Sequence, residues 1–174
     1  MKAQKLSASS GHVRKRVDME TRLTDEHHQA LKLWLRLLSC TNLVEAHVRS
    51  RLRTEFDTTL PRFDVMAALY RAEEGLNMSE LSGVLRVSNG NVTGIVDRLV
   101  GDGLIMRVPV EGDRRAMIVR LTKKGRTHFS GLAKVHEGWV SELLQSVDAP
   151  AAEKLITQLG NIGSRLDRQK AAEE

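Results

Sequence analysis

The sequence predicts a mainly α-helical chain with one small β-hairpin, and three observations lead to this fold class. Apolar residues recur at helical spacing through most of the chain. Near its middle, two short apolar segments flank a charged stretch that contains glycine, which is typical of a hairpin. Of the 174 residues 41% are hydrophobic but only 3% are aromatic, so the core must consist of Leu, Val, Ile and Met. We expect one domain, or a small domain with extra helices that pair with a partner.

The composition favours a polyanionic partner and argues against several classes of protein. The net charge is +5 and the pI is about 9.7. Cys40 is the only cysteine, which leaves no intrachain disulfide and no cysteine-rich metal site. No apolar run approaches the roughly 18 residues of a membrane span, and the N-terminal segment is polar, unlike a secretory signal. We therefore expect a cytoplasmic protein without a membrane segment.

The first two segments differ in composition. Residues 1–24 are basic with interspersed serines, which predicts a flexible basic arm, either a solvated tail or a source of extra phosphate contacts. Residues 25–60 are predicted to form mainly one long helix. Its apolar residues cover two neighbouring faces, which is wider than one amphipathic stripe requires. One face would pack on its own domain and the other on a second subunit.

Residues 61–121 are predicted to contain a helix, then two helices joined by a turn, then the hairpin. Asn77 and Glu80 have the spacing of a capping box, which predicts the start of a short helix. Ser88 is expected to cap the helix that follows, up to about Val100. This order of elements predicts a helix-turn-helix.

The hairpin and the C-terminal helices complete the chain. Strands are expected at 104–108 and 116–121, with a charged tip at 111–115. Residues 122–170 are expected to form two further helices, interrupted at Pro150.

The second helix of the predicted helix-turn-helix has an apolar face and a hydrogen-bonding face. Asparagine amides suit adenine, and arginine suits guanine or a phosphate. Gly90 and Gly94 each cost a helix about 1 kcal/mol relative to Ala. They either let the backbone approach DNA closely or merely weaken a surface helix. The candidate DNA contacts on this helix are Ser88, Asn89, Asn91, Thr93, Gly94 and Arg98.

The predicted hairpin tip carries two adjacent arginines, Arg114 and Arg115. Arginine at such a tip can enter a narrow minor groove. Asp113 is expected to orient one of them, because a carboxylate repels phosphate. An ordinary solvated hairpin is the alternative, but a helix-turn-helix followed by an arginine-tipped hairpin predicts a reader of double-stranded DNA.

The residues from Asp113 to Gly125 resemble the wing signature of the multiple-antibiotic-resistance regulator (MarR) family. The Asp-x-Arg, the Leu-Thr pair and the glycine fall at the family's spacing. The segment 88–93 and the Gly-Leu-Ile at 103–105 are similar to its recognition helix and first wing strand. The resemblance covers roughly Leu31 to Leu166.

This resemblance implies a winged helix-turn-helix homodimer that binds pseudo-palindromic operators and is released by a small anionic or phenolic ligand. Residues 25–60 and 122–170 would form the helical dimerisation region. The candidate residues on the second helix would then face the major groove, and Arg115 would be the wing arginine. The segments 88–93 and 60–64 are similar to repressors of aromatic-acid catabolism. That similarity implies an aromatic acid or its CoA thioester as effector.

Effector pockets of the family lie between the dimerisation helices and the DNA-binding lobe. Each apolar residue expected there is also a reasonable core residue. Arg49 and Arg53 are further cations available to an acid or phosphate. The candidate pocket residues are Trp34, Arg36, Leu38, His47, Phe56, Phe63, Met66 and Trp139.

Other functions have weaker support in the sequence. A redox sensor would use Cys40, which lies on an apolar stretch where a thiol is commonly inert. The histidines lack a cysteine or paired carboxylates at metal-ligand spacing, so we expect no metal site and no cofactor. No catalytic motif is present, so we expect no enzyme. A helical module that binds a protein partner rather than DNA remains an alternative.

Overall fold

The computed structural model describes residues 28–110 and 113–173, with the backbone alone at Asn89 and at 113–116. The predicted basic arm, residues 1–24, lies outside the described residues. The fold class predicted from the sequence is confirmed: six helices and two antiparallel strands make up the described chain. The elements are α1 (Gln29–Phe56), α2 (Leu60–Arg71), α3 (Met78–Leu85), α4 (Asn89–Gly101), β1 (Ile105–Val110), β2 (Asp113–Leu121), α5 (Lys123–Leu143) and α6 (Ala149–Glu173). None of the described helices is long and apolar enough to cross a membrane.

The chain divides into two units, Met1–Asn42 and Leu43–Glu174. The described part of the first unit is the N-terminal part of α1, where large apolar side chains are exposed. These are Leu31, Leu33, Trp34 and Leu38. In the second unit, the C-terminal part of α1 buries Val48 and Leu52.

The core of the second unit is built around α2. Half of this helix is buried, because it packs against α3, α4, α5 and β2. Its buried side chains are Phe63, Val65, Met66, Ala67, Ala68 and Leu69. The helix therefore has apolar neighbours on nearly every side.

The helix-turn-helix is formed by α3 and α4. The predicted capping box is present: Asn77 Oδ1 accepts from the Glu80 backbone N–H at 2.9 Å, and the Asn77 N–H donates to Glu80 Oε2 at 2.8 Å. Arg86 caps the C-terminal end of α3 and lies in the left-handed region, with φ of 54°. The predicted cap at Ser88 is wrong in one respect, because its side chain makes no capping hydrogen bond. Its carbonyl instead accepts from the Asn91 N–H at 3.1 Å.

The hairpin is longer than the sequence predicts. β2 begins at Asp113 rather than at residue 116, and β1 extends to Val110. The register shifts between Pro109, which pairs with Met117, and Val110, which pairs with Asp113. A shift at this point is compatible with proline, which has no N–H to donate to a regular ladder.

The chain leaving α4 and the start of α5 meet at Thr122. As predicted, α5 begins here: Thr122 Oγ1 accepts from the Gly125 N–H at 2.9 Å and donates to the Gly103 carbonyl at 2.8 Å. The Thr122 N–H also donates to the Leu104 carbonyl at 3.0 Å. A Cβ on Gly125 would lie 1.8 Å from that carbonyl oxygen, so only glycine allows this approach.

We expect Gly125→Ala to destabilise the fold by about 1–3 kcal/mol, because the added methyl group forces α5 away from Leu104. The free energy of unfolding in urea measures the effect. Gly131→Ala is the matched control, since a Cβ at that position of α5 meets nothing within 4 Å. Equal stability of the two variants would contradict this explanation.

Candidate nucleic-acid interface

α4 has the two faces that the sequence predicts. Val92, Val96 and Leu99 are completely buried, and Ile95 is half-buried. These side chains pack into the core around α2. The opposite side of α4 therefore does not contribute to the core.

The predicted hydrogen-bonding face is exposed. Ser88, Asn91, Thr93, Gly94 and Arg98 are all exposed, whereas the side chain of Asn89 lies outside the described residues. A Cβ at either glycine of this helix, Gly90 or Gly94, would meet nothing within 4 Å. Packing inside the chain thus gives no reason for two glycines here. The exposed backbone leaves room for the close approach of another molecule.

Two ion pairs attach α4 to its surroundings, and the sequence did not indicate either. Arg107 of β1 donates to Asp97 Oδ1 at 2.6 Å. Asp102, which caps the end of α4, pairs with Arg62 of α2, and its carbonyl accepts from Lys124 Nζ at 2.9 Å. The hydrogen bond and charge of Arg62 lower the pKa of Asp102 below its ordinary value. Both contacts favour one orientation of the helix.

The wing arginines are described only by their backbone. Arg114 and Arg115 belong to β2, next to the register shift, rather than to a loop beyond the strands. Their side chains and that of Asp113 lie outside the described residues. Their roles remain predictions.

Four of the eight predicted pocket residues lie in the second unit's core. Phe63 and Trp139 are buried and lie on either side of His136, with the Phe63 and His136 ring centroids 4.5 Å apart. The ring centroids of Phe56 and Trp139 are 5.9 Å apart, and Met66 is buried in the same core. These side chains pack against one another and against neighbouring core residues.

The other four predicted pocket residues lie on α1. Trp34, Arg36 and Leu38 belong to the first unit and are exposed, and His47 of the second unit is exposed as well. An effector contact at these positions remains a prediction.

A cavity of about 440 Å³ lies in the second unit beside α4. None of the eight predicted pocket residues lines it, although Arg49, the further cation considered above, does. Its lining residues are Glu45, Arg49, Leu60, Pro61, Asp64, Leu85, Val87, Asn91 and Ile95. The cavity was not predicted, because it combines residues of α1, α2, α3, the turn after α3, and α4 that are up to 50 positions apart. The one local signal is Asp64, an acid inside the apolar run of α2.

The charged residues of the cavity interact with one another. Glu45 and Arg49, one turn apart on α1, form an ion pair. Burial raises the pKa of Asp64, and the charge of Glu45 raises it further, while Arg49 and Arg71 act in the opposite direction. The half-buried Asp64 carboxylate therefore has a free-energy cost when it is ionised.

Two features bear on the alternative functions. The apolar neighbours of Cys40 in the sequence led us to expect an inert, covered thiol. In the structure Cys40 is exposed, so burial does not protect the thiol. The apolar side chains near it on α1 are themselves largely uncovered within the chain. Among residues 28–110 and 113–173, no group of three or more His, Cys, Asp or Glu side chains is arranged to hold a metal ion.

Comparisons with known proteins identify the same fold and class. The profile of the MarR family matches residues 58–117. The transcriptional activatory protein BadR of Rhodopseudomonas palustris is 32% identical over 123 residues, which is 70% of each chain.

Two solved structures extend this similarity to the fold. A MarR family transcriptional regulator from Silicibacter pomeroyi is 32% identical, with a TM-score of 0.68 over 82% of this chain and 99% of that one. The transcriptional regulator BldR from Sulfolobus solfataricus is 27% identical, with a TM-score of 0.72 over 81% and 99%. The similarity therefore includes the helices on both sides of the hairpin.

We expect Asp64→Asn to stabilise the fold at pH 7 and to lose this advantage as the pH falls towards 3.8. A carboxyl whose pKa is raised by folding binds its proton more tightly in the folded state. The ionised carboxylate therefore lowers the free energy of unfolding, and this penalty grows as the pH rises from the ordinary pKa of 3.8 through the raised pKa of the folded state. Urea unfolding at pH 7, 5, 4 and 3 measures the difference in the free energy of unfolding between each variant and the parent.

Asp102→Asn is the control of opposite sign, because the pKa of Asp102 is lowered. That variant should be destabilised at pH 7, and its penalty should decrease as the pH falls below 3.8. A pH-independent difference for Asp64→Asn would contradict the proposed cost of its ionisation.

Proposed function

Because the chain belongs to the MarR family of DNA-binding transcriptional regulators, we propose that it is a cytoplasmic homodimer that represses its target genes until an effector binds. It is a transcription regulator rather than an enzyme. The exposed hydrogen-bonding face of α4 is the observation that carries the proposed mode of DNA binding.

In this proposal, α4 enters the major groove and the hairpin reaches the adjacent minor groove. Asn91 and Arg98 read bases or phosphates, and Gly94 lets the helix backbone approach the duplex. Arg114 and Arg115 supply the wing contacts, with Asp113 orienting one of them. The glycines with open space above them support this arrangement, because a bound duplex would occupy that space.

The proposal of a homodimer is supported by apolar helices that the chain does not cover by itself. No described residue of α6 is buried, and Ile156 is 71% exposed. Four more large apolar residues of α6 are exposed at helical spacing: Leu155, Leu159, Ile162 and Leu166. A second copy would cover them and place two α4 helices about 34–36 Å apart, one turn of DNA.

We assign the effector to the cavity beside α4 instead of to the aromatic core. Asn91 and Ile95 belong both to the wall of this cavity and to α4. A ligand there can favour a position of α4 that does not fit DNA, and releases DNA only to the extent that it prefers that state. An aromatic acid or its CoA thioester is the effector class implied by the resemblance, with Arg49 as the cation available to it.

Footprinting on the DNA flanking the gene, combined with a salt titration of the affinity, tests the function. A sequence-selective footprint and an affinity that falls steeply with salt are expected. Arg98→Ala should lose about 1–3 kcal/mol of discrimination at one or two base pairs if this side chain reads bases. An equal loss on all sequences would make Arg98 a phosphate contact, and the absence of any selective footprint would contradict the proposal.

We expect Gly94→Ala to bind operator DNA more weakly while its fold becomes more stable by about 1 kcal/mol, the propensity difference between glycine and alanine. The methyl group meets nothing in the chain but would stand between α4 and the duplex. Gly138→Ala in α5 is the control, since it should gain similar stability and keep its affinity. Unchanged operator affinity of Gly94→Ala would place this face away from DNA.

We expect Ile156→Glu to dissociate the dimer, because it introduces a charge into the apolar face of α6. Sedimentation velocity measures the change in mass. Val84→Glu, at another exposed apolar position, on α3, should remain dimeric. A parent protein that sediments as a monomer would refute the proposed assembly.

A further inference from the structure

Arg86, in the turn of the helix-turn-helix, has a backbone conformation that favours glycine. Its φ of 54° lies in the left-handed region, which costs free energy for a residue with a Cβ. Its N–H donates to the Gly83 carbonyl at 3.2 Å. The next N–H, of Val87, donates to the Ser82 carbonyl at 3.2 Å. Neither bond involves the arginine side chain, so glycine would form the same turn with less strain.

The side chain of Arg86 contributes little to the stability of the fold. Its Nη2 donates to Oδ1 of Asp167, on α6, at 3.0 Å. The two side chains are 74% and 64% exposed, and ion pairs that are this exposed add little to the free energy of unfolding. The fold would therefore be at least as stable with glycine at this position. We look for the use of the arginine in binding instead.

Arg86 lies at the edge of the surface that is proposed to contact DNA. It precedes Ser88 by two residues, and Ser88 is exposed at the start of α4. When a recognition helix holds its N-terminal residues against base edges, the helix before it crosses the phosphate backbone. The turn between the two helices then lies near phosphates. A guanidinium binds a phosphate with charge-assisted hydrogen bonds.

We propose that Arg86 binds a phosphate of the operator, and that Asp167 competes with this phosphate for the same guanidinium. The ion pair between Arg86 and Asp167 is then an inhibitory contact, which is released when the protein makes its full set of DNA contacts. This inference rests on the DNA binding proposed above. It adds a contact outside α4 and the hairpin, and it gives the last helix a role in controlling that contact.

The competition depends on how the two subunits assemble. Asp167 belongs to α6, which buries no described residue and whose exposed apolar face is proposed to pack against a second copy. Arg86 belongs to the helix-turn-helix and moves with it. A change in the angle between the dimerisation helices and the DNA-binding lobe therefore forms or breaks this ion pair. A state of the dimer in which the pair is formed offers one cation fewer to DNA on each subunit.

Substitutions of the two partners should change the affinity for the operator in opposite directions. Fluorescence anisotropy of the full-length protein with the footprinted duplex measures it. Arg86→Gly removes the cation from both subunits, so we expect binding to weaken about tenfold. The slope of log affinity against log salt should become less negative by about 2, for two phosphates per dimer. The same variant should unfold at a higher urea concentration, because glycine suits the left-handed backbone.

Asp167→Asn releases the guanidinium and should tighten operator binding by about threefold or more, within the range that exposed ion pairs allow. Added to Arg86→Gly, it should change nothing, because no guanidinium is left to release. Two exposed residues supply matched changes of net charge: Glu153→Gln on α6 for the acid, and Lys134→Gln on α5 for the cation. Each control should change the affinity less than the substitution that it matches.

Three results would overturn this inference. An Arg86→Gly protein with the affinity and the salt slope of the parent would show that Arg86 binds no phosphate. An unchanged affinity of Asp167→Asn would show that the acid does not compete. Weaker binding by both variants would make the ion pair a support of the DNA-binding conformation. Each of these results leaves a selective footprint of the parent intact, whereas the absence of that footprint contradicts the proposed function itself.

Discussion

The approach of α5 to the chain that leaves α4 sets the geometry on which the rest of the DNA-binding lobe depends. Thr122 joins the two with its hydroxyl and its N–H, and Gly125 leaves space for the Leu104 carbonyl. At this single point the end of α4, the first strand, the second strand and the start of α5 meet. A small displacement here would change the positions of α4 and of the hairpin together, relative to the helix that continues towards α6.

α4 is positioned by two kinds of contact that act on different parts of it. Its buried face fixes its depth in the core, through Val92, Val96 and Leu99. Asp97 and Asp102 add ion pairs to β1 and α2 near its C-terminal end. At the N-terminal end of α4, Ser88 does not cap the helix with its hydroxyl. The cavity borders the N-terminal half of the helix, at Asn91 and Ile95.

Local patterns in the sequence were sufficient for the helices, the capping box and the buried face of α4. Each of these depends on residues within one or two helical turns, so spacing alone identifies them. The start of β2 was placed too late, because a register shift depends on pairing with Pro109 of the other strand. On α3, Leu81 is completely buried but Val84 is exposed, since α2, α4 and β2 do not cover every side of this short helix.

The candidate site was harder to predict than the fold, because its parts meet only in three dimensions. Aromatic residues were assigned to a pocket between the dimerisation helices and the DNA-binding lobe, yet Phe63 and Trp139 lie in the core, where both rings contact His136. A scarce large side chain is needed most where the core must be filled, and aromatic pairs stabilise such packing. The pairing of Arg107 with Asp97 and the cavity at Asp64 both join separate elements, so no single segment indicates them.

The location of the cavity limits how a ligand can act on DNA binding. A ligand with equal affinity for both positions of α4 would change nothing, however tightly it binds. For the proposed effector, a difference in affinity between two positions of α4 can arise because two of the lining residues of the cavity belong to α4 itself. Asn91 and Ile95 precede Gly94 and Arg98 by three residues each, so they lie about one turn away on the same helix. Any shift of the helix that enlarges or closes the cavity therefore displaces the exposed face by a similar distance. In the proposed mode of DNA binding, hydrogen bonds from α4 to base edges would weaken steeply with such a displacement.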